Sequence, residues 1–162
     1  MLDGLRKLMR STVGTATGAA EQPADDVELA TAALLVELAR ADFSEDPDEF
    51  EAIARLLAER FALQPAALSS LMARATERAD RAVSLQEFTR LLHEQLDARE
   101  KVAIVEMLWQ LSLADGRVDK HEEHLVRKVA GLLYVTDREL IGAKLRVTDA
   151  MAKAGKTGEA PR

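Results

Sequence analysis

Two groups of carboxylates are the residues of this chain whose types and spacing could do chemistry. One comprises Asp42, Glu45, Asp46 and Glu49; the other comprises Asp115, Asp119, Glu122 and Glu123. Carboxylates a few residues apart across a tight turn can converge on one hard cation, because Ca²⁺ and Mg²⁺ take oxygen ligands. Neither group follows the Asp-x-Asp-x-Asp-Gly pattern of an EF-hand loop. The same residues also suit ordinary helix starts. Asp46 and Asp119 are N-cap residues by type, and Glu49 and Glu122 stand where a capping box needs its returning carboxylate. The rest favour the positive ends of helices. Capping accounts for most of both groups, so a metal site built from them is the narrower of the two readings.

Other chemistries find less support. His121 and His124 lie one helical turn apart beside Glu122 and Glu123. Zinc would need further ligands, and the chain has no cysteine to supply a thiolate. His93 is remote in sequence, and a solvated polar face is the expected setting for the histidine pair. The lack of cysteine also excludes disulfides and thiol redox chemistry. There is no Gly-rich phosphate loop, no Gly-x-Ser-x-Gly elbow and no His-Glu-x-x-His. Asp42 and Asp115 would serve acid–base work if the fold paired them. With no nucleophile beside them, the chain reads as a binding protein rather than an enzyme.

The elements that must hold these residues are helical. Apolar residues make up 48% of the 162 positions but aromatics only 4%, so the core is aliphatic, rich in Ala and Leu, with one tryptophan, Trp109. Apolar positions recur at helical intervals in seven stretches. Val27, Ala30, Leu34, Leu38 and Ala41 mark the first, and Phe50, Ile53, Leu57 and Phe61 the second. Leu68, Leu71, Met72 and Ala75 mark a third that begins near Pro65, and Leu85, Phe88, Leu92 and Leu96 a fourth. Residues Val102 to Ala114 are apolar on almost every side, which predicts the central helix of a bundle, with Met107 and Trp109 in its core. Leu125, Val129, Leu132 and Leu133 mark a sixth, and Leu140, Ile141 and Leu145 a shorter seventh. N-cap boxes are expected at Asp46–Glu49, Ser84–Glu87, Asp119–Glu122 and Thr136–Glu139. The fold class is all-α, a bundle of about seven helices.

Three zones follow from composition. Residues 1–24 combine a short amphipathic segment (Leu2, Leu5, Met9 with Arg6, Lys7 and Arg10) with a Thr-, Gly- and Ala-rich linker. Residues 25–150 form the helical domain, and 151–162 are expected as a disordered tail. The net charge of −6 is uneven, since both ends are basic and the body is acidic. An acidic body argues against nucleic acid, which needs clustered Lys and Arg, and suits a cation or a basic protein surface. The Arg74, Arg78 and Arg81 run is interleaved with Glu77 and Asp80, as on a solvated helix face. No apolar run reaches bilayer length and no signal-peptide core follows the basic residues, so the cytoplasm is the expected compartment.

The chain also reads as a duplicated helix–acidic loop–helix unit. At a constant offset Leu34, Leu38, Ala41 and Asp42 fall on Met107, Leu111, Ala114 and Asp115. One residue shorter, Ile53, Leu57, Ala58, Phe61, Leu63 and Leu68 fall on Leu125, Val129, Ala130, Leu133, Val135 and Leu140. The acidic turns are then corresponding features of the halves, expected on the outside.

At Ala114-Asp115-Gly116-Arg117-Val118-Asp119 through Glu122-Glu123, the sequence resembles the Ala-Asp-Gly-x-Val/Ile-x-x-x-Glu signature of TerB-like domains. The resemblance covers roughly residues 25–147; in the first half Phe43-Ser44 replaces the glycine step after Asp42. It implies a compact all-helical fold associated with bacterial tellurite resistance and chemical-stress systems, working beside membrane and metal-linked partners.

The function expected is therefore a TerB-like binding module that presents an acidic surface to a cation, Ca²⁺ or Mg²⁺, or to a basic protein partner. Two alternatives stand beside it. One is a metal-dependent hydrolase or metal sensor using the loop carboxylates. The other is a peripheral membrane scaffold tethered by residues 1–10.

Overall fold

Seven helices and no strand occur among residues 23–42 and 46–158, the part of the chain described by the computed structural model. They are α1 (Pro23–Ala39), α2 (Pro47–Phe61), α3 (Pro65–Arg81), α4 (Gln86–Gln95), α5 (Ala98–Ser112), α6 (Lys120–Leu132) and α7 (Asp137–Gly158). The amphipathic segment 1–10, most of the expected linker, Glu45 and residues 159–162 lie outside the described residues.

Local chemistry sets the helix starts. Asp46 accepts from the Asp48 amide at 2.9 Å and Pro47 opens α2, where a missing N–H is no loss. Asp119 accepts from the His121 amide at 2.7 Å to start α6. Thr136 and Glu139 close a reciprocal box before α7, at 2.9 and 3.2 Å. The Ser84 box does not form. Leu85 is the residue before α4 and makes no side-chain cap, while Glu87 accepts from the Val83 amide instead. A box that hydrophobic spacing passes over, Asp97 with Glu100, starts α5 four residues before Val102. Such a cap is worth about 1 kcal/mol.

The hub of the bundle is α1, not the helix containing Trp109. It packs against α2, α3, α4, α5 and α6, and Leu29, Ala30 and every residue from Thr31 to Val36 are buried. Its alanines let neighbours approach on all sides, and the one buried hydroxyl, on Thr31, donates to the Val27 carbonyl at 2.7 Å. In α5, burial is concentrated from Ile104 to Ser112, while the first turn is exposed or half-buried. Trp109 is 1% exposed, and its indole N–H donates to the Leu140 carbonyl at 3.2 Å, fixing α7 across α5. The Lys144 ammonium lies 5.0 Å from the ring centre.

The last helix departs most from the sequence reading. Expected as a shorter helix, α7 is 22 residues long and runs through Gly158, into the segment expected as tail. Thr148 donates back to the Lys144 carbonyl, and Arg146 pairs with Glu106 of α5 at 2.7 Å. No helix among the described residues is long and apolar enough to cross a membrane.

Candidate metal centre

Both acidic turns enter through the same backbone hydrogen bonds. After α1, Arg40 N–H donates to Val36 and Ala41 N–H to Leu38; after α5, Leu113 N–H donates to Trp109 and Ala114 N–H to Leu111. The second turn ends through Gly116, whose φ of 82° is left-handed and suits glycine. Asp115 accepts from the Arg117 amide at 3.0 Å, holding that turn closed. The exits correspond as well. α2 and α6 end in the left-handed residues Ala62 and Tyr134, with Leu63 N–H donating to Ala58 and Val135 N–H to Ala130.

These turns bring three side chains together. Asp42, Glu49 and Glu122 each present a potential ligand oxygen, and the three oxygens lie within 4.8 Å of one another. Asp42 stands in the turn after α1, while Glu49 and Glu122 are the third residues of α2 and α6. Neither glutamate closes the expected capping box. Asp46 and Asp119 cap alone, and the glutamates turn into a shared cleft. The carboxylates are therefore not all on the outside, since Glu122 is 5% exposed and Asp42 and Glu49 are half-buried.

A cavity of about 320 Å³ opens beside this cluster, lined by Glu49 and Glu122 but not Asp42, and also by Asp115, Ser112, Asp46 and Arg55. Two of its polar atoms are buried without a hydrogen-bond partner, Oε2 of Glu49 and Oγ of Ser112. Ser112, the last residue of α5, is only 1% exposed. Buried polar atoms are nearly always satisfied, so two orphans on one cavity wall are informative.

The electrostatics point the same way. Burial pushes the Glu49 carboxyl from the ordinary 4.5 to about 7, with Asp42, Asp46 and Asp115 adding repulsion. Burial likewise raises Glu122 to about 7, with Glu49, Asp42, Asp115 and Asp119 adding to it. For both groups every contributing neighbour is a carboxylate. Low dielectric and like charge favour the neutral acids.

Other acidic positions play other parts. Asp115 is exposed and Asp119 half-buried; both bear on Glu122 electrostatically. Glu123 faces away and pairs with Arg127 at 3.1 Å. His121 and His124 are exposed and do not join the carboxylate cluster. His93 meets Tyr134 at 4.6 Å between ring centres, with Lys101 at 2.7 Å from its Nδ1. Sequence reasoning passed over Ser112 and Arg55. The serine carried a signal, a lone hydroxyl in an apolar helix one turn before Asp115; the arginine carried none.

A larger cavity, about 960 Å³, lies between α5 and α7 and is mostly apolar, with Val102, Ile141 and Leu145 among its lining. Its acidic groups are engaged, Glu106 with Arg146 and Glu139 with Thr136. Two of the three clustered carboxylates, Glu49 and Glu122, line the smaller one.

A protein-family model described as "Tellurite resistance protein TerB" matches residues 28–145, which contain all three clustered carboxylates. No curated protein and no solved structure matches the chain.

Proposed function

The chain belongs to the tellurite resistance protein TerB family, and on that premise we propose that it is a non-enzymatic binding module whose working part is a hard-cation site. Asp42, Glu49 and Glu122 supply the ligand oxygens, and Ca²⁺ or Mg²⁺ is the ion class that fits an all-oxygen donor set without thiolate or clustered imidazole. The module serves a tellurite-resistance or general stress-response system. It acts by presenting the occupied or empty acidic cleft to a protein partner.

One observation carries this reading. Three carboxylate oxygens from the α1–α2 turn, α2 and α6 meet within 4.8 Å, although their mutual repulsion and burial oppose it. Helix capping, which accounts for Asp46 and Asp119, does not account for them.

Calorimetric titration of the metal-stripped chain with Ca²⁺, Mg²⁺ and Zn²⁺, alongside thermal melting, tests it. Saturable binding of Ca²⁺ or Mg²⁺ with a rise in melting temperature is expected, and Glu122→Gln should abolish both. No heat and no melting shift with any ion in the unsubstituted chain would overturn the reading.

A further inference from the structure

The cavity beside the three-carboxylate cluster is larger than one ion requires. Three monodentate side chains fill half of an octahedral shell, and Ca²⁺ takes more ligands still. The whole cavity, about 320 Å³, is near the lower end of the range for small-molecule sites. Its wall also holds two groups that suit an anion. One is Arg55, an exposed arginine of α2 that lines this otherwise acidic cavity and makes no ion pair within the described residues. The other is the Ser112 hydroxyl, 1% exposed and without a hydrogen-bond partner. A guanidinium is a planar fork matched to carboxylate and phosphate oxygens, and a hydroxyl can donate to either.

We propose that the site takes an oxyanion together with its cation, the anion bridging the metal and the Arg55 guanidinium, with Ser112 donating on the buried side. This rests on the cation reading above and adds the ligand class. An anion entering the empty cleft meets Asp46, Asp48, Glu49, Glu51, Asp115 and Glu122. It is repelled until a dication offsets part of that charge and offers it open coordination positions, so binding is ordered, cation first. By linkage, the anion must then tighten the cation by the same factor that the cation tightens the anion. The source of the oxyanion is a phosphate or a carboxylate group, both of which satisfy a dication and an arginine.

The test is titration of the metal-stripped full chain with Mg²⁺ in chloride, then with inorganic phosphate and, separately, with acetate, compared at equal free Mg²⁺. At least one anion is expected to tighten Mg²⁺ by about fivefold or more. Enhancement by phosphate alone identifies a phosphate ligand, and by acetate alone a carboxylate. In Arg55→Ala the ratio of affinities with and without the anion should fall to about one, while Arg60→Ala, elsewhere on α2, should keep it. Mg²⁺ binding that neither anion alters overturns the inference and leaves the cation reading standing. An enhancement that survives Arg55→Ala, or that Arg60→Ala removes equally, also overturns it. No Mg²⁺ or Ca²⁺ binding under any condition overturns both.

Discussion

Glu49 and Glu122 occupy the same position in two different helices, the third residue of the first turn, and their carboxyl groups share one cleft with ligand oxygens within 4.8 Å. At that position a glutamate normally turns back to its own N-cap amide. Here the two turn toward each other and toward Asp42, which gathers three carboxyl groups in a partly buried cleft.

The first consequence is a pH dependence. Both carboxyls titrate near 7 in the folded chain and near 4.5 in the unfolded one, so the folded state holds more protons between those values. Stability from this source is fully present below about pH 4.5 and is lost as pH rises toward 7. Burial raises Glu37 too, in the same sense. Melting temperature in chelator should fall across that window, more steeply than in Glu49→Gln. A curve that is flat or rises there contradicts the assigned electrostatics.

Cation binding should release protons. At pH 6 the two glutamates are largely protonated in the empty site, and ligation requires the carboxylates. Mg²⁺ or Ca²⁺ affinity is expected to rise between pH 6 and 8, and the heat of binding to vary with the ionisation enthalpy of the buffer. Equal affinities at the two ends would argue that the glutamates are not ligands.

Ser112→Ala should stabilise the metal-free chain. Its hydroxyl is buried and unpaired, which costs about 1 kcal/mol or more, and removal should raise the melting temperature by about 2–4 °C. Thermal melting in chelator decides this. A loss of stability would mean that the hydroxyl has a partner within the fold.

Asp97→Ala separates fold from site. It removes the N-terminal box of α5, remote in sequence from the three carboxylates, and should lower stability by about 1 kcal/mol. Denaturant unfolding measures the loss, and cation affinity should be unchanged.

The hub role of α1 predicts an asymmetry between two leucines. Leu34→Ala, at a site 1% exposed on the helix that packs against five others, should cost about 2–5 kcal/mol. Leu145→Ala on α7, at 58% exposure, should cost far less. Comparable losses in urea unfolding would displace α1 from the centre.

By itself the sequence determined the all-α class, the positions of the helices and the caps at Asp46, Asp119 and Thr136, because apolar periodicity and capping are local properties. It also singled out the acidic turns and the family they resemble. It misplaced the centre of the bundle and the length of α7. An alanine-rich helix and a polar-faced one are told apart by what packs on them, and neighbours such as Trp109 over Leu140 are not written locally. Only the tertiary structure decided which carboxylates meet. Asp42, Glu49 and Glu122 come together because packing around α1 sets the α1–α2 turn against the start of α6, whereas Glu123, adjacent to a cluster member in sequence, points to Arg127. Neighbouring residues on a helix face different directions, so proximity along the chain cannot select the ligands; the crossing of helices does.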